Sequence, residues 1–235
     1  MKPMGETTEP FLHAIQAEIR KKKVLLDHPL SQLVFKGELT LQQLREWTKQ
    51  RFIAIHKDGV SFFGAMLAHA EDWEMRHHLL ETIAEEMGLR EGEEAHRDLL
   101  LHFGAALGLS RDEMVCAEMF PESQAFADSM GFIAYTRSAI ETLCAIAAIE
   151  SQNPEALPLW AEALETHYQI PSEALTFFTL HGTMDVEHSE KAWKLATRYA
   201  RTEEMQAKVI DAVRRSLNGF WLLFDGVYRR CVLGE

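Results

Sequence analysis

Hydrophobic positions recur at helical spacing along nearly the whole chain. Residues 10–26 read as a first amphipathic helix, broken at Asp27-His28-Pro29, with a short helix following to about Lys36. Thr40 is suited to cap a long helix reaching about Ala70, in which Leu41, Leu44, Trp47 and Phe52 supply apolar positions. The next helix starts near Trp73 and ends at Met87-Gly88, where glycine suits the left-handed position after a helix. Another is predicted from about Glu93 to Leu107, stopping at Gly108, and Ser110 caps a short one before Pro121. A long helix is predicted over 122–151, one from Pro154 to about Tyr168, and one opened by Pro171 and reaching about Ala200. Thr202 then caps a final helix to about Cys231. No strand-like alternation bounded by turns and no solenoid-period repeat interrupts this pattern. The fold class is all-α, a bundle of about seven to nine helices. With no linker and sparse Pro and Gly, residues 1–235 read as a single helical domain.

Composition narrows the function classes. The chain is 235 residues long and 47% hydrophobic, enough for one sizeable core. A net charge of -12 argues against nucleic acid or an anionic membrane as the main partner. The short basic run Arg20-Lys21-Lys22-Lys23 reads as a solvated helix face. Cys116, Cys144 and Cys231 are far apart and odd in number, so they form neither a disulfide framework nor a CxxC site. A cytoplasmic setting fits, and MKPMGETTEP has no apolar core of a signal peptide. The longest apolar run, Leu143 to Ile149, is far short of a membrane span.

The segment HGTMDVEH changes the picture most. It places His181, Asp185 and His188 at i, i+4 and i+7, within about 60° of each other on one helix face. Their stripe continues through Ala174, Phe178, Ala192 and Leu195, so three ligand-type side chains interrupt a core-facing surface. Such groups need partners, and a metal site supplies them. His96 shares a stripe with Leu100, Phe103 and Leu107, with Glu93 one turn earlier. Glu150 continues a stripe of Ala139, Leu143 and Ile146. Of Glu85 and Glu86, helical phase turns Glu86 inward with Ile83, Leu79 and Met75, and Glu85 toward solvent.

The candidate set is Glu86, Glu93, His96, Glu150, His181, Asp185 and His188. Its four carboxylates match two divalent cations, and unpaired they would each carry a desolvation cost of about several kcal/mol. Mixed oxygen and nitrogen ligation from several helices is the pattern of carboxylate-bridged di-iron or di-manganese bundles, and the lack of thiolates disfavours structural zinc and iron–sulfur clusters. His181 and His188 lie about 10 Å apart along the axis, so each serves one metal with Asp185 between them. Glu150 bridges the metals, Glu86 and His96 complete one end, and Glu93 is a flexible extra carboxylate. A hydrogen-bonded core network for HxxxDxxH and a buried ion pair for Glu150 are the bland alternatives. Glu187 pairs instead with Lys191, and Glu190 with Lys194, on the exposed face.

Taken together, these residues resemble a known group. DHPLSQLVFKGELTLQQLREWTKQRF is similar to the N-terminal region of pyrroloquinoline-quinone synthases, and IAEEMG, His96, Glu150 and HGTMDVEH follow the ligand order of haem-oxygenase-like di-iron oxidases. The separations of about 54 residues from His96 to Glu150 and about 31 to His181 also agree. The same group includes the chlamydial death-domain-associating protein. The resemblance implies a haem-oxygenase-like seven-helix bundle, like that of quinone synthases and thiaminases, around two Fe(II) ions, with manganese as the alternative metal. It implies O2 as co-substrate and oxidative chemistry on a small metabolite, amino-acid-like or carboxylate-bearing: N-oxygenation, C–C cleavage, decarboxylation or desaturation. An external electron donor belongs among the expected partners. The ligands that carry over are Glu86, His96, Glu150, His181, Asp185 and His188, with Glu93 at a variable position.

The chlamydial relatives make p-aminobenzoate from their own tyrosine. Here the tyrosines are Tyr135, Tyr168, Tyr199 and Tyr228, none in the N-terminal helices, so self-sacrifice in that manner is not expected. Two other functions stay open: a cofactor-free enzyme resembling quinone synthase or thiaminase, and a metal-stabilised helical interaction protein. For substrate contacts, Arg51, His56, Lys57 and Asp58 follow residue 40 on the long helix. One of them holds a substrate carboxylate, or all four form a solvated face. Tyr135 and Arg137, on the helix of Glu150, are either pocket or structure. Met66, Met130, Met184 and Cys144 read as core. Phe220 to Phe224 carry more apolar surface than one helix face needs, which fits either a homodimer contact or core packing.

Overall fold

The computed structural model describes residues 8–235, so most of the stretch MKPMGETTEP lies outside the described residues. Among the described residues every regular element is helical. They are α1 (Thr8–Lys21), α2 (Val24–Asp27), α3 (Pro29–Phe35), α4 (Leu41–Arg51), a π-helical turn (Phe52–His56), α5 (Val60–His69) and α6 (Trp73–Glu86). Then come α7 (His96–Ala106), α8 (Arg111–Val115), α9 (Pro121–Thr136), α10 (Ala139–Glu150) and α11 (Asn153–Tyr168). A 3₁₀ turn (Ser172–Leu175) leads into α12 (Thr176–Tyr199), and α13 (Glu203–Val227) ends in a second π-helical turn (Tyr228–Leu233).

Three predicted helices are each divided. The first breaks after Lys21 and resumes at Val24. The stretch from Thr40 to Ala70 holds α4, the π turn and α5. Thr40 caps it as expected, its hydroxyl accepting from Gln43 N at 3.2 Å. The π turn is closed by Lys57 N donating to Phe52 O at 2.8 Å, and Gly59 follows where a Cβ would collide with the Ile55 carbonyl. The predicted helix 122–151 is α9 and α10, because Ser138 starts a new helix. Its N–H and Oγ donate to Glu141 Oε2 at 3.1 and 2.7 Å, while Arg137 is extended. Tyr135 is exposed on α9, and Arg137, in the break between α9 and α10, pairs with Glu141 and Asp211.

α13 packs along α9 and α10, and α12 lies against both α10 and α11. Two apolar clusters fill the interior. In one, Trp47 stacks on Trp160 with ring centroids 4.6 Å apart, and Phe178 and Phe224 close around them. The other gathers Met66, Met75, Leu79, Leu143, Ala147, Leu195 and Val213. Along α12, Phe177 and Phe178 belong to the first cluster, and Ala192, Leu195 and Ala196 to the second. The polar trio of HGTMDVEH occupies the stretch between them. Phe220, Leu223 and Phe224 are fully buried within the chain, so core packing accounts for most of the apolar excess on α13. Cys144 and Met66 are buried too. No described helix is long and apolar enough to cross a membrane.

Candidate metal centre

Helix ends deliver three of the candidate ligands, and the middle of α12 delivers three more. α6 finishes on Glu85-Glu86, and Gly88 turns the chain back at φ +60°. A Cβ at Gly88 would lie 2.5 Å from Ala95 N, so glycine permits the close return that starts α7 at His96 beside Glu86. Glu150 is the last residue of α10. His181, Asp185 and His188 project from the middle of α12.

These six side chains meet as two triads. Glu86, His96 and His181 form one, and Glu150, Asp185 and His188 the other. Within each, one ligand atom per residue lies within 4.8 Å of the other two. In the first triad His96 Nδ1 is 3.2 Å from Glu86 Oε1, and the His96 and His181 rings are 4.5 Å apart at 70°. His181 Nδ1 donates to the Phe177 carbonyl at 2.8 Å, which fixes the tautomer and leaves Nε2 with its lone pair. In the second, His188 Nδ1 is 3.4 Å from Asp185 Oδ1, and Asn153 Nδ2 donates to Asp185 Oδ2 at 2.5 Å. Asp185 joins the second triad, and its charge also reaches His181 and His96 in the first.

Glu85 is not turned to solvent. Its side chain is 14% exposed, with Oε2 3.0 Å from His188 Nε2 and Oε1 accepting from Arg90 at 2.7 Å. In the last turn of α6 these two partners override helical phase. Glu93 joins neither triad. α7 begins three residues after it, so Glu93 and His96 are not a helical pair, and the Glu93 side chain is 38% exposed near Arg90 at 3.6 Å. Asn153 was not singled out from the sequence. Standing before Pro154, it reads as helix-entry punctuation, and nothing local marks it as a partner of Asp185.

The electrostatics favour cations. Glu85, Glu86 and Glu150 all sit in C-terminal turns, at the negative ends of their helix dipoles, with no basic residue in either last turn. Burial, and then the Asp185 charge, pushes the Glu150 carboxyl up to about 8. The hydrogen bond to Asp185 lifts His188 to about 9. Burial disfavours charge on His96, but Glu86 beside it wins and raises its pKa; at His181 burial wins and lowers it. His96 Nδ1 is buried without a hydrogen bond. An oxygen and imidazole donor set with an unsatisfied buried ring nitrogen, and with carboxylates gathered against their helix dipoles, fits divalent metal ions.

A cavity of about 400 Å³ adjoins the triads, bordered by Glu86, Glu150 and His181 and walled by Phe62, Phe63, Phe126, Met130, Ile146 and Ile149. Met130 is thus both core and wall. Arg51, His56, Lys57 and Asp58 all border it; Arg51 is buried and Asp58 exposed.

The family model described as an iron-containing redox enzyme matches residues 45–221. The 4-aminobenzoate synthase of Nitrosomonas europaea is 27% identical over 232 residues, covering 94% of this chain and 92% of that protein. The pyrroloquinoline-quinone synthase of Cronobacter sakazakii is 24% identical over 219 residues, 90% of this chain and 85% of that one. Among solved structures, a TenA homologue from Pseudomonas syringae pv. tomato superposes with a TM-score of 0.78 at 17% identity, over 97% of this chain and 98% of its own. A CADD-like protein of unknown function from Nostoc punctiforme gives 0.76 at 19% identity, over 95% and 99%. The fold is TenA-like and haem-oxygenase-like.

Proposed function

Because the chain belongs to the iron-containing redox enzyme family, we propose that it is an O2-dependent non-haem di-iron oxidoreductase acting on a small carboxylate-bearing metabolite. The observation that carries this reading is the pair of adjacent ligand triads, both drawing on α12. Glu86, His96 and His181 would hold one iron, and Glu150, Asp185 and His188 the other. When bound, two ferrous ions supply electrons to O2 and open positions for O2 and substrate. The same donors also suit manganese.

The protein's own residues do the rest. The Phe177 carbonyl holds His181 with Nε2 free to ligate. Asn153 fixes one Asp185 oxygen and leaves the other toward His188. Glu85 accepts from His188 Nε2, which leaves Nδ1 for metal and strengthens it as a donor. Glu150 gives up its proton as metal arrives. The apolar cavity walls exclude water and orient substrate. Reduction of O2 to water takes four electrons, so a substrate that yields fewer requires an external donor.

The cofactor-free alternative of the same fold leaves Glu86 and Glu150 at the negative ends of their helices offset only by imidazoles and a carboxyl proton, which disfavours it. The test is anaerobic Fe(II) titration of metal-free protein, followed by O2 in a stopped-flow absorbance cell. Two irons per chain and a transient visible band support the proposal. A folded protein that binds no iron specifically overturns it in favour of the cofactor-free enzyme.

A further inference from the structure

One buried cation takes no part in either triad. Arg51, the last residue of α4, is 4% exposed, and its Nε and Nη1 have no hydrogen-bond partner. Its guanidinium carbon lies 5.3, 5.6 and 5.8 Å from the ring centres of Phe177, Trp47 and Phe220. Aromatic faces hold the cation in place and soften its burial, but they accept none of its hydrogen bonds in the plane. Among the described residues no carboxylate stands within ion-pair distance of it, and Asp185 attracts it only through space. Burial lowers its pKa to about 10, so it stays charged at neutral pH. A charge so placed costs several kcal/mol unless something pairs with it.

The π turn that follows brings a second unpaired group to the same place. His56 Nε2 is buried and has no partner. Burial, and then Arg51, His181 and His96, keep the ring neutral. Arg51 and His56 border the cavity that Glu86, Glu150 and His181 also border. π turns often mark functional sites, and here one delivers two unsatisfied polar groups to one cavity.

We propose that Arg51 is the substrate-binding residue that receives the substrate's carboxylate, with His56 Nε2 as a further hydrogen-bonding contact, so that the substrate's apolar body lies against the triads. The guanidinium fork matches a carboxylate in shape and charge. The inference rests on the di-iron reading for why a substrate enters the cavity, yet its test needs no iron.

The experiment is calorimetric titration of the metal-free full chain with benzoate and with its uncharged isostere benzamide. Wild-type protein is expected to bind benzoate about 10-fold or more tightly than benzamide, the scale of a hydrogen bond to a charged group. Arg51→Met is expected to lose that preference, and Arg51→Lys to keep part of it. Both variants should still take up two irons per chain. Equal binding of the two probes by wild-type protein overturns the proposal without touching the di-iron reading. So does a folded Arg51→Met that still prefers benzoate. Failure of iron uptake by wild-type protein would instead sink the di-iron reading and leave the benzoate preference standing as its own result.

Discussion

Protein stripped of metal should lose stability as pH rises from 6.5 to 9. Glu150 has a folded pKa of about 8 against an ordinary 4.5, and His188 about 9 against 6.5. Both are raised, so between these values the native state binds more protons than the unfolded chain, and stability falls with rising pH. The His188 contribution is complete below 6.5 and is gone once pH has risen through 9. The Glu150 contribution is lost between 4.5 and 8. Below 6.5, His56 and His181, whose pKa values are lowered by burial, act in the opposite sense, so the window from 6.5 to 9 isolates the site. At about 1.4 kcal/mol per pH unit, His188 would give about 3 and Glu150 about 2 kcal/mol across that window. The two act on each other and share Asp185, so a combined loss of about 3 kcal/mol is expected. Urea unfolding of metal-free protein at several pH values and constant ionic strength measures it. Fe(II) binding at pH 7 should then release about two protons per chain from Glu150 and His188, with His96 adding to them, read with an indicator dye in weak buffer. Stability that is flat across the window, together with metal uptake that releases no protons, would refute the assignment of these protons to Glu150 and His188.

Asp185→Ala removes the carboxylate that Asn153 holds and His188 faces; iron loading at one or both positions should be lost while circular dichroism shows helicity retained, and full activity would count against the site. Gly88→Ala should cost about 1–2 kcal/mol for the left-handed backbone. It should also weaken iron binding at Glu86, His96 and His181 by displacing residue 95, and wild-type stability and iron affinity would contradict the role given to that turn. Trp160→Ala should cost about 3–5 kcal/mol in denaturant unfolding. Its ring is fully buried against Trp47 and its Nε1 donates to Leu25 O at 2.8 Å; a loss below about 1 kcal/mol would mean the aromatic cluster is not central to stability.

Much of the bundle is legible in the chain because helix punctuation is local. Thr40, Gly88, Ser110 and Thr202 stand where helices start or stop. The division at Ser138 was legible too, since Ser138-Ala-Ile-Glu141 has capping-box spacing, but the apolar positions of α9 and α10 run on across it and hide the break. The π turn at 52–56 has no comparable signature, and it is what carries His56 to the cavity. For the site, polar residues on apolar stripes single out His96, Glu150 and the α12 trio. Their division into two triads depends on how three helix ends meet the middle of α12, which no local pattern encodes. Glu85 escapes for a related reason: phase is a poor guide in a final turn, where Arg90 and His188 claim its oxygens. Glu93 shows the reverse, a helical spacing on paper that falls in a loop.

The most direct measurement of the central claim is anomalous diffraction at the iron edge from crystals loaded with Fe(II) in the absence of oxygen. Two peaks per chain are expected, one among Glu86, His96 and His181 and one among Glu150, Asp185 and His188. Iron-loaded, active protein whose anomalous peaks lie outside both triads would contradict it.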